Sequence, residues 1–385
     1  MNTRRLSYSQ NWKHGESFID EQVNIPGMRM CILIPCRNGE ATIADAIKSA
    51  RNQADVYVIN DASTDSTSSI ARSLDVTVID LDENIGKALA VRHALDIQWQ
   101  KFDGKRIPEL YDFVMILDDD TALNPDYVEK TIEFLDKRKS LAACEGHSVS
   151  YWKDSKRWNG FIGARAFATW RTQLVMYRLQ SFFNARTWIN GALTTYRARI
   201  LDQVVRDNPY FVTEDADWCW QIHRQKLGEI KYNTKAVATL QEPSNWNELY
   251  KQHLRWAWGS WQIAITHKLG RKRSRADLSW LTISIDAIFY WLWPLYMVML
   301  FSTVTQNIAL ALAWYFAGYG LLGIFGAIIL RKWRMLIVWP TLIIYDINWR
   351  IALMHGFIKA LRKPTVKKAT WVSPTRVNTQ RQEAA

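Results

Sequence analysis

The chain has 385 residues, with 49 lysines and arginines against 37 aspartates and glutamates, for a formal net charge of +12. That length holds two domains or one large domain with an appendage, and that charge points to an anionic partner: nucleic acid, acidic lipid headgroups or a phosphorylated small molecule. The four cysteines, Cys31, Cys36, Cys144 and Cys219, make no CxxC pair, which excludes a metal site of that kind and suits reduced thiols in a cytosolic compartment.

The first residues, MNTRRLSYSQNWKHGE, have no apolar stretch and predict no signal peptide, so 1–27 read as an N-terminal extension. From residue 28 to 243, short β-rich runs (MCILIPC, DVYVIND, VTVIDLD, DFVMILD) alternate with helical patterns such as EATIADAIKSARNQ and KALAVRHALDIQWQKF. That alternation predicts an α/β domain with a mostly parallel sheet and helices on both faces. Ligands of such sheets bind at the carboxyl ends of the strands. Each run closes there on polar residues: CRNGE, NDASTD, DENIGK and DDDT.

The chemistry is concentrated at those ends. Asp118, Asp119 and Asp120 follow the apolar run Phe113–Leu117. Side chains alternate along a strand, so Asp118 and Asp120 are expected to face one site with Asp119 turned aside. Two convergent carboxylates suit a hard divalent cation that completes its shell from a diphosphate, whereas a lone acidic strand end is a solvated turn. Asp61 and Asp65 sit where a carboxylate accepts from a base N–H or a ribose hydroxyl. Gly86 and Lys87 open a predicted helix, where backbone donors and an ammonium meet an anion. Glu214 and Asp215 open another; they are either ordinary N-terminal acidity or a general base for an attacking hydroxyl. Gln252, Arg255 and Trp256 share one helix face, as diphosphate and sugar donors with an indole platform, or as a tryptophan-anchored surface helix.

Residues 244–275 carry that helix and the basic run RKRSR. Beyond it, 287–304 and 308–330 have no charged residue. Each is long enough to cross a hydrocarbon core of about 30 Å, so 276–330 predict a transmembrane hairpin. Many of the twenty tryptophans fall in this C-terminal third, as an interfacial belt would place them. The segment 331–361 contains Pro340, Asp346, Arg350, His355 and Lys359. If it crossed, the flanking clusters RKWR and RKPTVKK would face opposite sides, so the expectation is an interfacial helix, with a third span as the alternative. Residues 362–385 are then a cytosolic tail. The basic clusters lie beside apolar segments, where membrane lipids explain them better than nucleic acid.

In order, IPCRNGE, NDASTD, NIGKA, LDDDT, INGALTTYR, VTEDADW and QHLRW resemble the membrane-bound inverting glycosyltransferases of family 2, and Q-x-x-R-W resembles their processive polysaccharide synthases of hyaluronan, chitin, poly-N-acetylglucosamine and cellulose. The resemblance implies a nucleotide-sugar-binding fold of the GT-A type and a UDP-sugar donor. It implies that Pro35, Arg37, Asn38, Glu40, Asp61, Lys87, Asp118 and Asp119 line the nucleotide pocket, and that Asp118 and Asp120 hold Mn2+ or Mg2+. Asp215, paired with Glu214, is the implied catalytic base. Gly191, Tyr196, Arg197, Gln252, Arg255 and Trp256 are implied on the acceptor and diphosphate side. Trp371, Thr375 and Arg376 of WVSPTR resemble a gating loop, with two inserted residues and Ser-Pro in place of glycine. The acceptor is a growing β-linked glycan, or alternatively a lipid-linked or short acceptor. Two or three spans are few for a sugar channel, so processive synthesis calls for a homo-oligomer or a membrane partner subunit. A non-catalytic scaffold has no use for the intact acidic triplet. The implied location is an integral membrane protein with a cytoplasmic catalytic domain.

Overall fold

The computed structural model describes residues 29–150, 159–207, 211–271 and 274–364. The gating-loop residues Trp371, Thr375 and Arg376 lie outside the described residues, as does the extension 1–27. The four apolar runs become the strands β1 (Met30–Cys36), β2 (Asp55–Asn60), β3 (Thr77–Asp80) and β4 (Phe113–Leu117). Four more follow: β5 (Thr121–Leu123), β6 (Leu141–Ser150), β7 (Leu193–Arg197) and β8 (Glu229–Leu240). They form one eight-stranded sheet in the order β3-β2-β1-β4-β7-β6-β8-β5.

Around it run α1 (Ile43–Ala50), α2 (Thr67–Arg72), α3 (Lys87–Asp96), α4 (Ile107–Leu110), α5 (Tyr127–Asp136), α6 (Gly160–Arg171), α7 (Arg178–Phe182), α8 (Ala198–Asp207) and α9 (Glu214–Gln225). A π-helical turn, Thr172–Tyr177, joins α6 to α7. β1 and β4 are buried along their whole length because the sheet is covered on both faces. Cys31, Leu33, Val114 and Ile116 pack with α3, α8 and α9 on one side, and Ile32, Ile34, Met115 and Leu117 with α1 and α5 on the other. The half β3-β2-β1-β4 is parallel, so its carboxyl ends, and the loops after them, lie along one edge.

The sheet then reverses. β7 runs antiparallel to β4, with Leu193 opposite Leu117 and Arg197 opposite Phe113. This register corrects the placement of one expected acceptor-side residue. The chain enters β7 beside the end of β4 and leaves it at the opposite edge of the sheet, carrying Arg197 away. Tyr196 is fully buried against Trp218, where burial and then the nearby Asp215 raise its hydroxyl well above the usual range. The Arg197 guanidinium donates to the carbonyls of Leu141 at 2.7 Å and Leu135 at 3.3 Å. Arg197 is a structural residue of β7.

After the sheet come α10 (Trp246–Thr266), α11 (Arg275–Thr305), α12 (Ile308–Leu330) and α13 (Met335–Arg362). α12 and α13 are each long and apolar enough to cross a membrane, with mean hydropathies of 1.8 and 1.3 over their most apolar stretches, of which only 17% and 28% is buried. Core helices of soluble proteins are mostly buried, so these exposed apolar faces point to membrane association. The backbone of the expected first span, 287–304, belongs to α11, a helix that continues through Pro294. α13 is likewise unbroken at Pro340. Its C-terminal half runs along α10: Asn348 reaches the Trp246 carbonyl, Gly356 sits on Ala257, and the Lys363 carbonyl accepts from Gln262.

Arg197 is therefore expected to matter for stability and not for catalysis. Arg197→Met should lower stability by about 2 kcal/mol, the loss of charged hydrogen bonds to two carbonyls, while leaving the donor KM unchanged. Thermal unfolding in detergent, beside donor kinetics, checks this.

Candidate active site

The site is built on one buried ammonium. Lys87 is the first residue of α3, after Gly86, and is 8% exposed. Its Nζ lies 2.6 Å from Asp118 Oδ1, 3.0 Å from the Gly191 carbonyl and 3.4 Å from Glu214 Oε1. Burial alone would discharge such a lysine, but the carboxylates of Asp118 and Glu214 outweigh it and its pKa is raised. Three of the expected motifs, NIGKA, LDDDT and VTEDADW, are joined at this atom, and Gly191 brings in a fourth.

Asp118 follows β4, with its backbone N–H on the Ala192 carbonyl at 3.2 Å and its carbonyl accepting from Thr121 N at 3.1 Å. The triplet is thus a turn, and it sets Asp119 apart from its two neighbours. Asp119 is buried, its Oδ2 within 3.4 Å of Thr42 Oγ1 and against Gly39 of the β1–α1 loop. Asp118 and Asp120 are the more exposed pair. Among the described residues no group of three or more His, Cys, Asp or Glu side chains is disposed to hold a metal by itself. A carboxylate pair of hard oxygen donors fits Mn2+ or Mg2+ only if a ligand's own oxygens fill the other positions, which is what a diphosphate offers.

The loops after β1 and β2 are laced together. Asn38 Oδ1 accepts from Thr64 N at 2.9 Å and the Asn38 N–H donates to Ser63 Oγ at 2.9 Å. Glu40 Oε2 accepts from Ser66 N at 3.1 Å, and Asp65 Oδ2 accepts from Glu40 N at 3.2 Å. Pro35 lies within β1, opposite Ile59 of β2. Asp61 is buried, with its two oxygens on the N–H groups of Ile85 at 2.7 Å and Gly86 at 2.9 Å. It thereby fixes the turn that delivers Lys87, and the backbone donors expected to meet an outside anion are already engaged by it. Arg37 Nε is buried without a hydrogen-bond partner.

Opposite stand α9 and α10. Asp215, in the first turn of α9, accepts from Gly191 N at 2.9 Å and from Ala216 N at 2.8 Å. Burial, then the neighbouring Glu214, push its carboxyl up to about 6, with Lys87 pulling the other way. Gly191 is required by contact: a Cβ there would stand 2.8 Å from Asp215 Oδ2. α10 carries Gln252, Arg255 and Trp256. Gln252 Oε1 is buried without a hydrogen-bond partner, and the Arg165 guanidinium lies 4.6 Å from the Trp256 ring centroid. One turn on, Gly259 lets the loop before α9 come close, since a Cβ there would meet the Thr213 side chain at 2.2 Å. Arg37 Nε and Gln252 Oε1 are two of several buried side-chain polar atoms that lack a protein partner among the described residues.

A family model, glycosyltransferase like family 2, matches residues 26–259. The chain belongs to that family. The matched stretch takes in β1 to the middle of α10, and with it all seven motifs. Poly-beta-1,6-N-acetyl-D-glucosamine synthase of Staphylococcus epidermidis is 27% identical over 91% of this chain and 88% of its own length. The synthase of the same name from Staphylococcus aureus strain COL is 24% identical, over 98% and 93%. Among solved structures, the mannosyltransferase PcManGT from Pyrobaculum calidifontis, in complex with GDP-Man and Mn2+, superposes with a TM-score of 0.55 at 18% identity, covering 85% of this chain and 87% of that one. The fold of this transferase is accordingly the GT-A type, with an antiparallel element added to its parallel half.

Sequence reasoning named Lys87, Asp118, Glu214, Asp215 and Gly191 but not their mutual contacts. It passed over Gly259, although a glycine inside the helical stretch WAWGSW, seven residues after Gln252, was a signal for close packing on that face. It also passed over Arg165 and the fully buried pair Glu145–Arg186, which carry no motif.

Three outcomes follow for the transferase with Asp215 as its expected base. A carboxyl near 6 accepts a proton only when ionised, so turnover should rise with pH through about 6 and level off above it. Removing the Lys87 cation in Lys87→Met withdraws the influence that lowers Asp215, so the acid limb should move to higher pH along with at least a tenfold loss of rate; UDP release measured across pH 5–8 reads both. Gly191→Ala should displace the Asp215 carboxylate and reduce kcat about tenfold or more while the donor KM changes little, checked by steady-state donor kinetics.

Proposed function

We propose that this chain transfers a sugar from a UDP-sugar, UDP-N-acetylglucosamine, to a growing β-linked polysaccharide at a membrane surface. The observation that carries this reading is the shared frame of base and diphosphate site: Gly191 holds Asp215 through its N–H and Lys87 through its carbonyl, and Lys87 holds Asp118. The relatives named above for synthesising poly-N-acetylglucosamine support the donor and the polymeric product. The Q-x-x-R-W face of α10 supports a polysaccharide over a single-sugar acceptor.

In this reading Arg37, the Asn38–Glu40 loop and Asp61 hold the nucleoside end of the donor, and Asp118 and Asp120 stand at its diphosphate. A divalent cation bound by Asp118 and Asp120 would neutralise charge developing on the departing diphosphate. Asp215 takes the proton of the acceptor hydroxyl, whose oxygen bonds to the anomeric carbon on the face opposite the nucleotide as the carbon–phosphate oxygen bond breaks. The configuration inverts, and an α-linked donor gives a β-linkage. Gln252 and Arg255 donate to diphosphate and sugar oxygens, and Trp256 offers its indole to the acceptor ring.

We read α10 and α13 as lying at the cytoplasmic interface, and α11 with α12 as the spanning hairpin. The alignment of α13 along α10 and the basic residues at both ends of α13 support this over a third crossing.

Purified protein in detergent, given Mn2+ and a panel of radiolabelled UDP-sugars, should release UDP and build a high-molecular-weight product from UDP-N-acetylglucosamine. Asp215→Asn and Asp118→Ala/Asp120→Ala should each reduce turnover by at least 100-fold. Short oligosaccharides would favour the non-processive alternative, and full activity in the aspartate variants would refute the assignment.

A further inference from the structure

Outside the motifs, a second buried ion pair crosses between segments far apart in the chain. Arg165 of α6 places its Nε 3.2 Å from Glu242 Oε2, with side chains 16% and 6% exposed. Glu242, in the loop between β8 and α10, also accepts from Ser150 Oγ at 2.8 Å. The same guanidinium lies 4.6 Å from the centroid of the Trp256 ring, and Tyr345 of α13 stands beside it. α6 is fastened at its N-terminal end, ahead of this point, to two different segments. Its N-capping Asn159 donates to the Ser244 carbonyl at 2.6 Å, and Thr341 of α13 donates to the Gly160 carbonyl at 2.9 Å.

Packing alone does not call for a charge here. Replacing a buried ion pair by apolar side chains of similar volume is often neutral or stabilising. A planar cation on an indole face is different, because it fixes the ring's tilt and occupies one of its two faces. The opposite face is then the one left to stack on a sugar. Glu242, held by Ser150, attracts the guanidinium by charge from the β8–α10 loop, so the loop bears on the orientation of the indole.

We propose that Arg165 and Glu242 are positioning residues that hold the Trp256 indole as the acceptor platform, and so govern whether a transferred sugar extends a glycan or is lost to water. This rests on the transferase reading above. Neither residue is among the contacts that join Lys87, Asp118, Gly191 and Asp215. Loss of the pair should therefore leave donor use intact and uncouple it from extension: UDP is still released, the sugar goes to water, and the product shortens.

The test measures UDP released, sugar incorporated and product size for wild type, Arg165→Met, Arg165→Lys and Glu242→Gln, each also in a Trp256→Leu background. Arg165→Met should raise the ratio of UDP released to sugar incorporated about tenfold and shorten the polymer, with the KM for UDP-N-acetylglucosamine within about twofold of wild type. Arg165→Lys, which keeps charge without the planar fork, should recover only part of the coupling. In the Trp256→Leu background neither Arg165→Met nor Glu242→Gln should have any further effect, a non-additivity that a merely structural pair would not show. If Arg165→Met does not purify as folded protein, Arg165→Lys and Glu242→Gln carry the same comparison. Wild-type coupling and length in the variants, or additive losses with Trp256→Leu, would overturn this proposal alone. A wild type that releases no UDP from any UDP-sugar would overturn the transferase reading and this proposal with it.

Discussion

The arrangement depends on one ammonium kept out of water. A buried lysine is expensive unless its charge is met, and Lys87 is met by Asp118, Glu214 and the Gly191 carbonyl together. The same contacts explain why three adjacent aspartates are tolerated at the end of a buried strand. Asp118 shares the lysine's charge, Asp119 turns under the β1–α1 loop, and Asp120 reaches the more exposed side of the turn. Because each partner of Lys87 comes from a different segment, the contact sets distances that no single element could set. Asp61, on the N–H groups of Ile85 and Gly86, fixes the approach of the lysine from behind.

The sheet supplies the geometry for this meeting. Its parallel half presents the ends of β1, β2 and β4 along one edge, and the reversal into β7 brings Asn190 to Ala192 back to that edge before the strand departs. α9 then approaches with its acidic first turn directed at the same point, held close to α10 by the glycine contact at Gly259. The apolar helices continue from this side of the molecule. α13 follows α10 residue by residue, so the helix carrying Gln252, Arg255 and Trp256 is braced by a segment with exposed apolar faces. The transferase domain and the exposed apolar segments are thereby joined through one pair of helices.

Much of this was legible in the sequence, and the reasons for the remainder are physical. Strands that are buried on both faces read as unbroken apolar runs, and polar residues at their carboxyl ends read as a site because parallel strands deliver them to one edge. Arg197 was misplaced because proximity in sequence to Gly191 was taken as proximity in space. An antiparallel strand covers about 3.4 Å per residue, so five residues carry the chain well clear of the site. Lys87 was expected to wait for an external anion, but long-range pairing with Asp118 and Glu214, 31 and 127 positions away, leaves no local trace. The Arg165–Glu242 pair was invisible for the same reason.

In the proposed reading Asp118 would be shared between a lysine and a divalent cation. Burial and Glu214 raise the Asp215 carboxyl while Lys87 lowers it, and the value near 6 is their balance. A cation at Asp118 would compete for the oxygen that Lys87 holds, yet the Gly191 carbonyl and Glu214 would still hold the ammonium. Its charge would arrive with the diphosphate's own negative charge, so the two largely offset each other and the balance at Asp215 stays with burial, Glu214 and Lys87. Burial and the like-charge neighbour Glu214, which look unfavourable beside a proposed base, keep Asp215 basic enough to accept a proton while the lysine favours its charged form.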